Sequence, residues 1–550
     1  MAAKRKSRPG QSTGLAYGAA AAVLVILLAA LALSVHQPPP PEVAAFAPGA
    51  VHQIKHPPPN QAGRNGSGSG GNGAGNGRGN GAATRHSASP PPPPTTPPPA
   101  PAQFTCVGNP PRQILDPQSP PCVPFWNGNN GGATAVGVTG NQITIVAPTG
   151  TYGSSIYSDL QTFFNQHFQF YGRRLNIVDS NSGGQSTAAS QKADADNDYA
   201  KYKPFGALVY HSSLGTWYRQ EMARLGVVYA DSDGSYAPPY PTTAFGYLMN
   251  ANEIFQNLGQ WTCNQLAGHP AAHGGTAVQK TTRKFGIFMN TYLADDPTNA
   301  KPLIQELAKC GAAPASADVF YNTTASNQQV MEKFAADHVT SIFCLCASTG
   351  PSGVMSAAEA IQYMPEWIFS SYGYSDDPYF IKAAANPPQL AHAFGLTEQP
   401  PSTPLVDQPV YWAVHSVDPT FAWDYSDINR ANNLEPYRSL LIMASGIQMA
   451  GPHLTAATFA AGLRKAMFPN PTFYTKPGAV GFNDATRTMT TDSAMWWWSD
   501  NANEPVDANS GGPGTDCYVE NGKRFSLNHW PRMDANKLLF SGACNTGSGF

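Results

Sequence analysis

Apolar residues recur along this chain in two rhythms, and the change from one to the other outlines its elements. Ile143, Ile145 and Ala147 begin an apolar run ended by Pro148 and Gly150. Ile156, Leu160, Phe163, Phe164 and Phe168 then return at helical spacing, and Leu175, Ile177 and Val178 form a second strand-like run. The alternation repeats with a strand at Ala207–Tyr210, a helix at Trp217–Leu225 and a strand at Val227–Ala230. Strands separated by helices predict a parallel, doubly wound α/β sheet. Ligands bind such sheets beyond the carboxyl ends of the strands, which makes Pro148–Tyr152, His211–Thr216 and Asp231–Tyr236 the candidate binding loops.

A second βα block follows. Helical spacing at Ile254–Leu266, Pro302–Lys309, Gln328–Asp337 and Val354–Tyr363 alternates with strand-like runs at Lys284–Met289, Asp318–Tyr321, Ser341–Cys346 and Trp367–Ser370. Composition marks no boundary between the blocks, which suits two lobes joined by short crossovers. Pro436–Gly451 and Thr455–Met467 are amphipathic helices, and Ser493–Trp498 and Tyr518–Leu527 are strand-like and aromatic. The run Trp496-Trp497-Trp498 has the look of a carbohydrate platform, but alternate residues of a strand face opposite sides, so at least one belongs to the core.

Ahead of these blocks the pattern changes. Leu15–Val35 carries no charge and follows Lys4, Arg5, Lys6 and Arg8. About 20 apolar residues span a bilayer and flanking basic residues stay cytoplasmic, so residues 14–35 predict a membrane anchor, 1–13 a cytoplasmic end, and the rest an extracytoplasmic domain. A cleaved signal peptide and secretion are the alternative, with Ala30-Leu31-Ala32 as the cleavage motif. Residues 36–103 are rich in proline and glycine without apolar periodicity and predict a disordered linker that serves as a tether. Residues 104–135 predict an irregular, disulfide-closed lead-in, and 136–550 the globular domain.

A formal charge of −2 supplies no general attraction to nucleic acid. All eight cysteines follow the apolar segment, as an oxidising compartment favours. Proximity suggests Cys106–Cys122, Cys263–Cys310 and Cys517–Cys544; Cys344 and Cys346 are read as facing opposite sides of a strand and thus as a poor metal pair. HExxH, GxSxG and GxxxxGK[ST] are missing, and Asp231-Ser232-Asp233-Gly234 lacks the further acidic ligands of a calcium loop. No cofactor, metal site or catalytic group is therefore expected.

Several stretches, in this order, resemble the type I periplasmic solute-binding family, the branched-chain amino-acid-binding group of ABC transporters. They are GVTGNQITIVAPTG, FFNQHFQFYGRRLNIV, PFGALVYHSSLGTW, KFGIFMNTYLADD, YMPEWIFSS, LTAATFAAGLRKAM and PGAVGFND. The resemblance covers everything after the tether. It implies an α/β clamshell of two doubly wound parallel sheets joined by three crossovers, with one lobe near 136–248 and 372–478 and the other near 249–371 and 479–550.

It also implies ligand contacts at Ser212, Ser213 and Thr216, a second ligand loop at Asp231, Ser232 and Asp233, and an aromatic cleft residue at or near Tyr292; Tyr152 belongs to the first of the candidate loops. HSSLGT before a helix offers hydroxyls and free N–H groups to an anionic ligand group, or caps the helix. The family's acidic position falls near Ser348–Gly353, where this chain reads without an acid, which disfavours a branched-chain amino acid. Tyr210, Trp217, Tyr229, Tyr236, Tyr292, Tyr372 and Tyr374 fall at strand ends, where they serve packing or a larger, flatter ligand. The implied function is binding of a small polar ligand, not catalysis, with an ABC permease as partner. The alternatives are a sensing or scavenging ectodomain without a permease, and an enzyme on the same fold.

Overall fold

The structure, a computed structural model, describes residues 106–546 apart from 117, 149–154, 184–186, 209–214, 232–241, 291–297, 320–323, 347–349, 385, 402–403, 422–429, 467–481, 483–486 and 504–512. Five parallel strands form the first sheet: β1 (Gln142–Pro148), β2 (Arg174–Ser180), β3 (Gly206–Ala207), β4 (Val228–Asp231) and β5 (Ala244–Gly246), in the order β2-β1-β3-β4-β5. Alternation along β1 sends Ile143, Ile145 and Ala147 to one face, where Phe163 and Phe164 of α1 (Ser155–His167) cover them. Val146 points to the other face with Ala207 and Tyr229, under Tyr218 and Met222. Both faces are therefore dry, as a parallel sheet requires.

The other face is covered by α2 (Ala188–Tyr202) and α3 (Thr216–Arg224). The apolar pattern does not reveal α2, because its buried side is Gln191, Ala195 and Asp198. A Thr187–Ser190 capping box starts this helix instead of an apolar rhythm.

The second sheet begins with parallel strands β6 (Phe285–Met289), β7 (Ser316–Val319), β8 (Ser341–Leu345), β9 (Glu366–Phe369) and β10 (Ala393–Thr397), in the order β7-β6-β8-β9-β10. Antiparallel β11 (Asp492–Ser499) joins β10 and pairs with β12 (Thr515–Tyr518) and β13 (Arg524–Ser526). One face packs on α4 (Ala251–Gln265) and α5 (Lys301–Lys309) through Leu258, Trp261, Leu303 and Leu307, and the other on α6 (Thr324–Ala336) and α7 (Gly350–Ala360) through Met331, Phe334, Val354 and Met355. Trp496 and Trp498 share one core face while Trp497 packs against Phe540 on the other, so the tryptophan run is packing.

Three connections pass between the sheets. The first runs from β5 through Tyr247 to Asn250, which caps α4 with Glu253. The second leaves β10, which the short helices α8 (Pro378–Ala384) and α9 (Pro387–Leu390) precede, for α10 (Pro409–His415) and α11 (Arg430–Ala450), whose Val410, Val414, Tyr437 and Leu440 join the first lobe's core with Phe459 and Leu463 of α12 (Ala456–Lys465). The third returns beside the first, where the N–H groups of Met489 and Thr490 donate to the carbonyls of Gly246 and Tyr247, each at 2.9 Å.

Three corrections follow. Residues 393–397, expected in the first lobe, are strand β10 of the second sheet. Phe482 and Met489, expected in the second lobe, pack in the first lobe's core, so the third connection comes later than 479. Cys344 and Cys346 lie on the same face and form a disulfide, because the strand period of two aligns residues i and i+2. The other disulfides are the expected Cys106–Cys122, Cys263–Cys310 and Cys517–Cys544.

The lead-in folds onto the first lobe. Ile114 enters its core, Asp116 accepts from the Tyr437 hydroxyl at 2.8 Å and Gln118 from the Tyr247 hydroxyl at 2.9 Å. Among the described residues no helix is long and apolar enough to cross a membrane; the expected anchor at 14–35 and linker at 36–103 lie outside them.

Candidate functional site

Strand order locates the candidate crevice. In each sheet the winding reverses beside the first strand, between β1 and β3 and between β6 and β8, and ligands of doubly wound folds sit beyond the carboxyl ends at that reversal. Of the residues expected to contact ligand, Tyr152, Ser212, Ser213, Ser232, Asp233 and Tyr292 lie outside the described residues. Thr216 and Asp231 are described.

Thr216 opens α3 at 1 % exposure, and its Oγ1 has no hydrogen-bond partner among the described residues. It does not cap the helix. Gly215 holds that position without a side-chain bond, and Oε1 of Gln191 on α2 accepts instead from the N–H groups of Trp217 at 3.1 Å and Tyr218 at 3.4 Å. Those two amides at the start of the helix are thereby occupied.

Asp231, at the end of β4, is ion-paired with Arg219 of α3 in the protein interior, and that guanidinium lies over the Tyr229 ring. Asp231 is thus a partner in a buried pair and not a spare carboxylate for a ligand ammonium. Nearby, Asp198 accepts from Ser180, Ser182 and Tyr218 hydroxyls at 2.9, 2.9 and 2.8 Å; burial raises its pKa even so. The Tyr157 hydroxyl is pushed far up, first by burial and then by Glu435, Asp231 and Asp179, so the described first-lobe edge is acidic. Tyr374, after β9, donates to Glu435 of α11 at 2.9 Å.

In the second lobe Asn290 follows β6, is 4 % exposed, and donates its N–H to the Leu345 carbonyl at 3.2 Å. Gly350, the first residue of α7, is packed on it: a Cβ there would come within 2.4 Å of the Asn290 side chain. The Cys344–Cys346 bond closes the end of β8 beside them. Among the described strand-end aromatics, Tyr229, Tyr372 and Tyr374 are packing residues, against Tyr218, Phe255 and Phe380 respectively.

Sequence reasoning missed Gln191, Tyr157, Glu435 and Glu398. Glu398 follows β10, is 2 % exposed, and is raised to about 7 by burial first and by Asp376 second. Recognising β10 as a strand is the signal that would have placed it at the carboxyl edge. Among the described residues, no group of three or more His, Cys, Asp or Glu side chains could hold a metal ion.

Two doubly wound sheets that exchange three connections, each with its reversal point at the carboxyl edge, define a two-lobed α/β architecture. Solved structures similar to the chain are ABC transporter substrate-binding proteins. One is the leucine-, isoleucine-, valine-, threonine- and alanine-binding protein of Brucella ovis in its closed conformation, at 13 % identity and TM-score 0.48 over 73 % of this chain and 98 % of that one. A branched-chain amino acid ABC transporter protein of Thermus thermophilus with bound valine matches at 12 % and 0.47 over 68 % and 97 %. A solute-binding protein of R. palustris in complex with 4-hydroxybenzoate matches at 13 % and 0.47 over 71 % and 98 %. No family model and no curated protein matches the chain.

Proposed function

We propose that the protein is an extracytoplasmic solute-binding protein that closes two lobes on a small polar ligand, an amino acid, amide or related compound, and presents it to an ABC-type importer. The observation that supports this best is the pair of sheets, one parallel and one parallel with an antiparallel edge, joined by three connections, since closure about such a joint lets both lobes contribute contacts to one ligand. Pairing of all eight cysteines in disulfides supports export. Retention at the membrane through 14–35, with the globular domain outside, belongs to the same reading. The Arg219–Asp231 pair removes one acid that a ligand ammonium could have used, which favours amides and ureas among the candidates.

A thermal-shift screen of the full chain against amino acids, amides, ureas, polyamines and aromatic acids tests the reading. A ligand present at about 100 times its Kd stabilises by about 2.7 kcal/mol. Turnover of a hit, or no stabilisation by any class, would overturn it.

A further inference from the structure

The second connection leaves β10 through Glu398 and Gln399, and the third enters β11 through Asp492 and Ser493. Thr397 pairs with Ala494 in antiparallel register, so these residues face one another where the chain passes between lobes. Glu398 Oε1 accepts from Ser493 Oγ at 2.8 Å, and that hydroxyl accepts from Asn257 Nδ2 of α4 at 2.6 Å. The Glu398 N–H donates to Ser371 Oγ at 2.9 Å, and the same hydroxyl donates to Asp376 Oδ2. Gln399 Nε2 reaches Asp376 Oδ1 at 3.5 Å. Elements carrying all three connections thus meet on one buried carboxyl group. Its second oxygen, Oε2, has no hydrogen-bond partner among the described residues.

The charges around Glu398 are mostly of its own sign. Asp376 and Asp377, both 1 % exposed, come from the turn after β9, and Asp492, 4 % exposed, from β11. Arg524 of β13 brings a positive charge, but its Nε goes to Asp492 Oδ1 at 2.8 Å. Its other nitrogens go to the carbonyls of Gln399 at 3.0 Å, Glu398 at 2.7 Å and Asp492 at 2.9 Å. Ionised, Glu398 would set a second buried carboxylate against Asp376; the Ser371 and Ser493 hydroxyls and Arg524 favour that charged form, but burial and Asp376 outweigh them. A proton on the carboxyl group removes that charge.

We propose that Glu398 holds a proton beside Asp376 where the second and third connections meet, and that its release to solvent, by setting a second buried carboxylate against Asp376, loosens the joint between the lobes. The loosening rests on the solute-binding reading, in which those connections are a hinge; the protonation rests on the network alone.

The test uses the full chain with disulfides intact, as wild type, Glu398→Gln and Asp376→Asn, over a pH range on both sides of 7. Infrared difference spectra of the wild type should show a neutral carboxylic acid carbonyl band that is lost as pH rises, absent from Glu398→Gln and titrating at lower pH in Asp376→Asn. X-ray scattering should show the wild-type radius of gyration growing across that range, with Glu398→Gln unchanged because the amide is neutral at every pH. A band that persists in Glu398→Gln, or a titration unmoved by Asp376→Asn, overturns the protonation; should Glu398→Gln not fold, Asp376→Asn decides it. A band that behaves as expected with a radius independent of pH overturns the loosening. Failure of every candidate solute to stabilise the protein overturns the binding reading instead, and leaves the band untouched.

Discussion

Arg219 and Asp231 have left water together, with side chains 4 % and 3 % exposed, so neither can be removed alone without stranding the other. Asp231→Ala is expected to lose about 3–5 kcal/mol in urea unfolding, and a double replacement by apolar residues of similar volume to recover most of it. A loss below about 1 kcal/mol would mean that the pair behaves as a solvated one. His273 lies 4.7 Å from the Phe540 ring and is lowered from 6.5 to about 4, chiefly by burial. Its folded form binds the proton less readily than the unfolded chain, so the stability it confers is complete above 6.5 and is lost as pH falls toward 4. The thermal midpoint should therefore drop across that window in the wild type and drop less in His273→Gln. Glu398, raised to about 7, has the opposite sign: its contribution is complete below 4.5 and is lost as pH rises through 7. At this scale the sequence is half legible. Asp231 was placeable at a strand end by periodicity, but its partner sits 12 residues earlier on a helix, and only the packing of α3 on β4 brings them together.

Elements with an apolar rhythm were readable, and those without one were not. Strands β1, β2, β6 and β8 and helices α1, α4 and α12 fall within a few residues of their apolar runs. Helix α2 was invisible because it meets the first lobe through polar atoms, and β10 because the five residues of Ala393–Thr397 are bounded by no helical pattern. The polar contact of α2 has a use. Gln191→Ala would leave the Trp217 and Tyr218 amides at the start of α3 without their acceptor, and a loss of about 0.5–2 kcal/mol is expected, the usual range for a helix cap. Urea unfolding measures it, and a variant as stable as the wild type would show that water replaces the cap without cost. The Cys344–Cys346 bond was missed for a simpler reason: residues two apart on a strand share a face.

For the whole molecule, the two-block alternation in the sequence carried the architecture, and the three connections followed from the family resemblance. What alternation could not fix was where the chain changes lobes, since both lobes are built from the same residue types. Closure on ligand predicts a smaller radius of gyration by X-ray scattering with a saturating solute than without, and no contraction with a solute that leaves the thermal midpoint unchanged. Because the chain crosses three times, neither lobe is one continuous stretch. The first core closes only when α10–α12 reach β1–β5, and the second only when β11–β13 reach β6–β10. During synthesis the early strands therefore leave the ribosome with bare apolar faces and must wait for covers encoded far downstream, an interval in which a holding chaperone has most to protect.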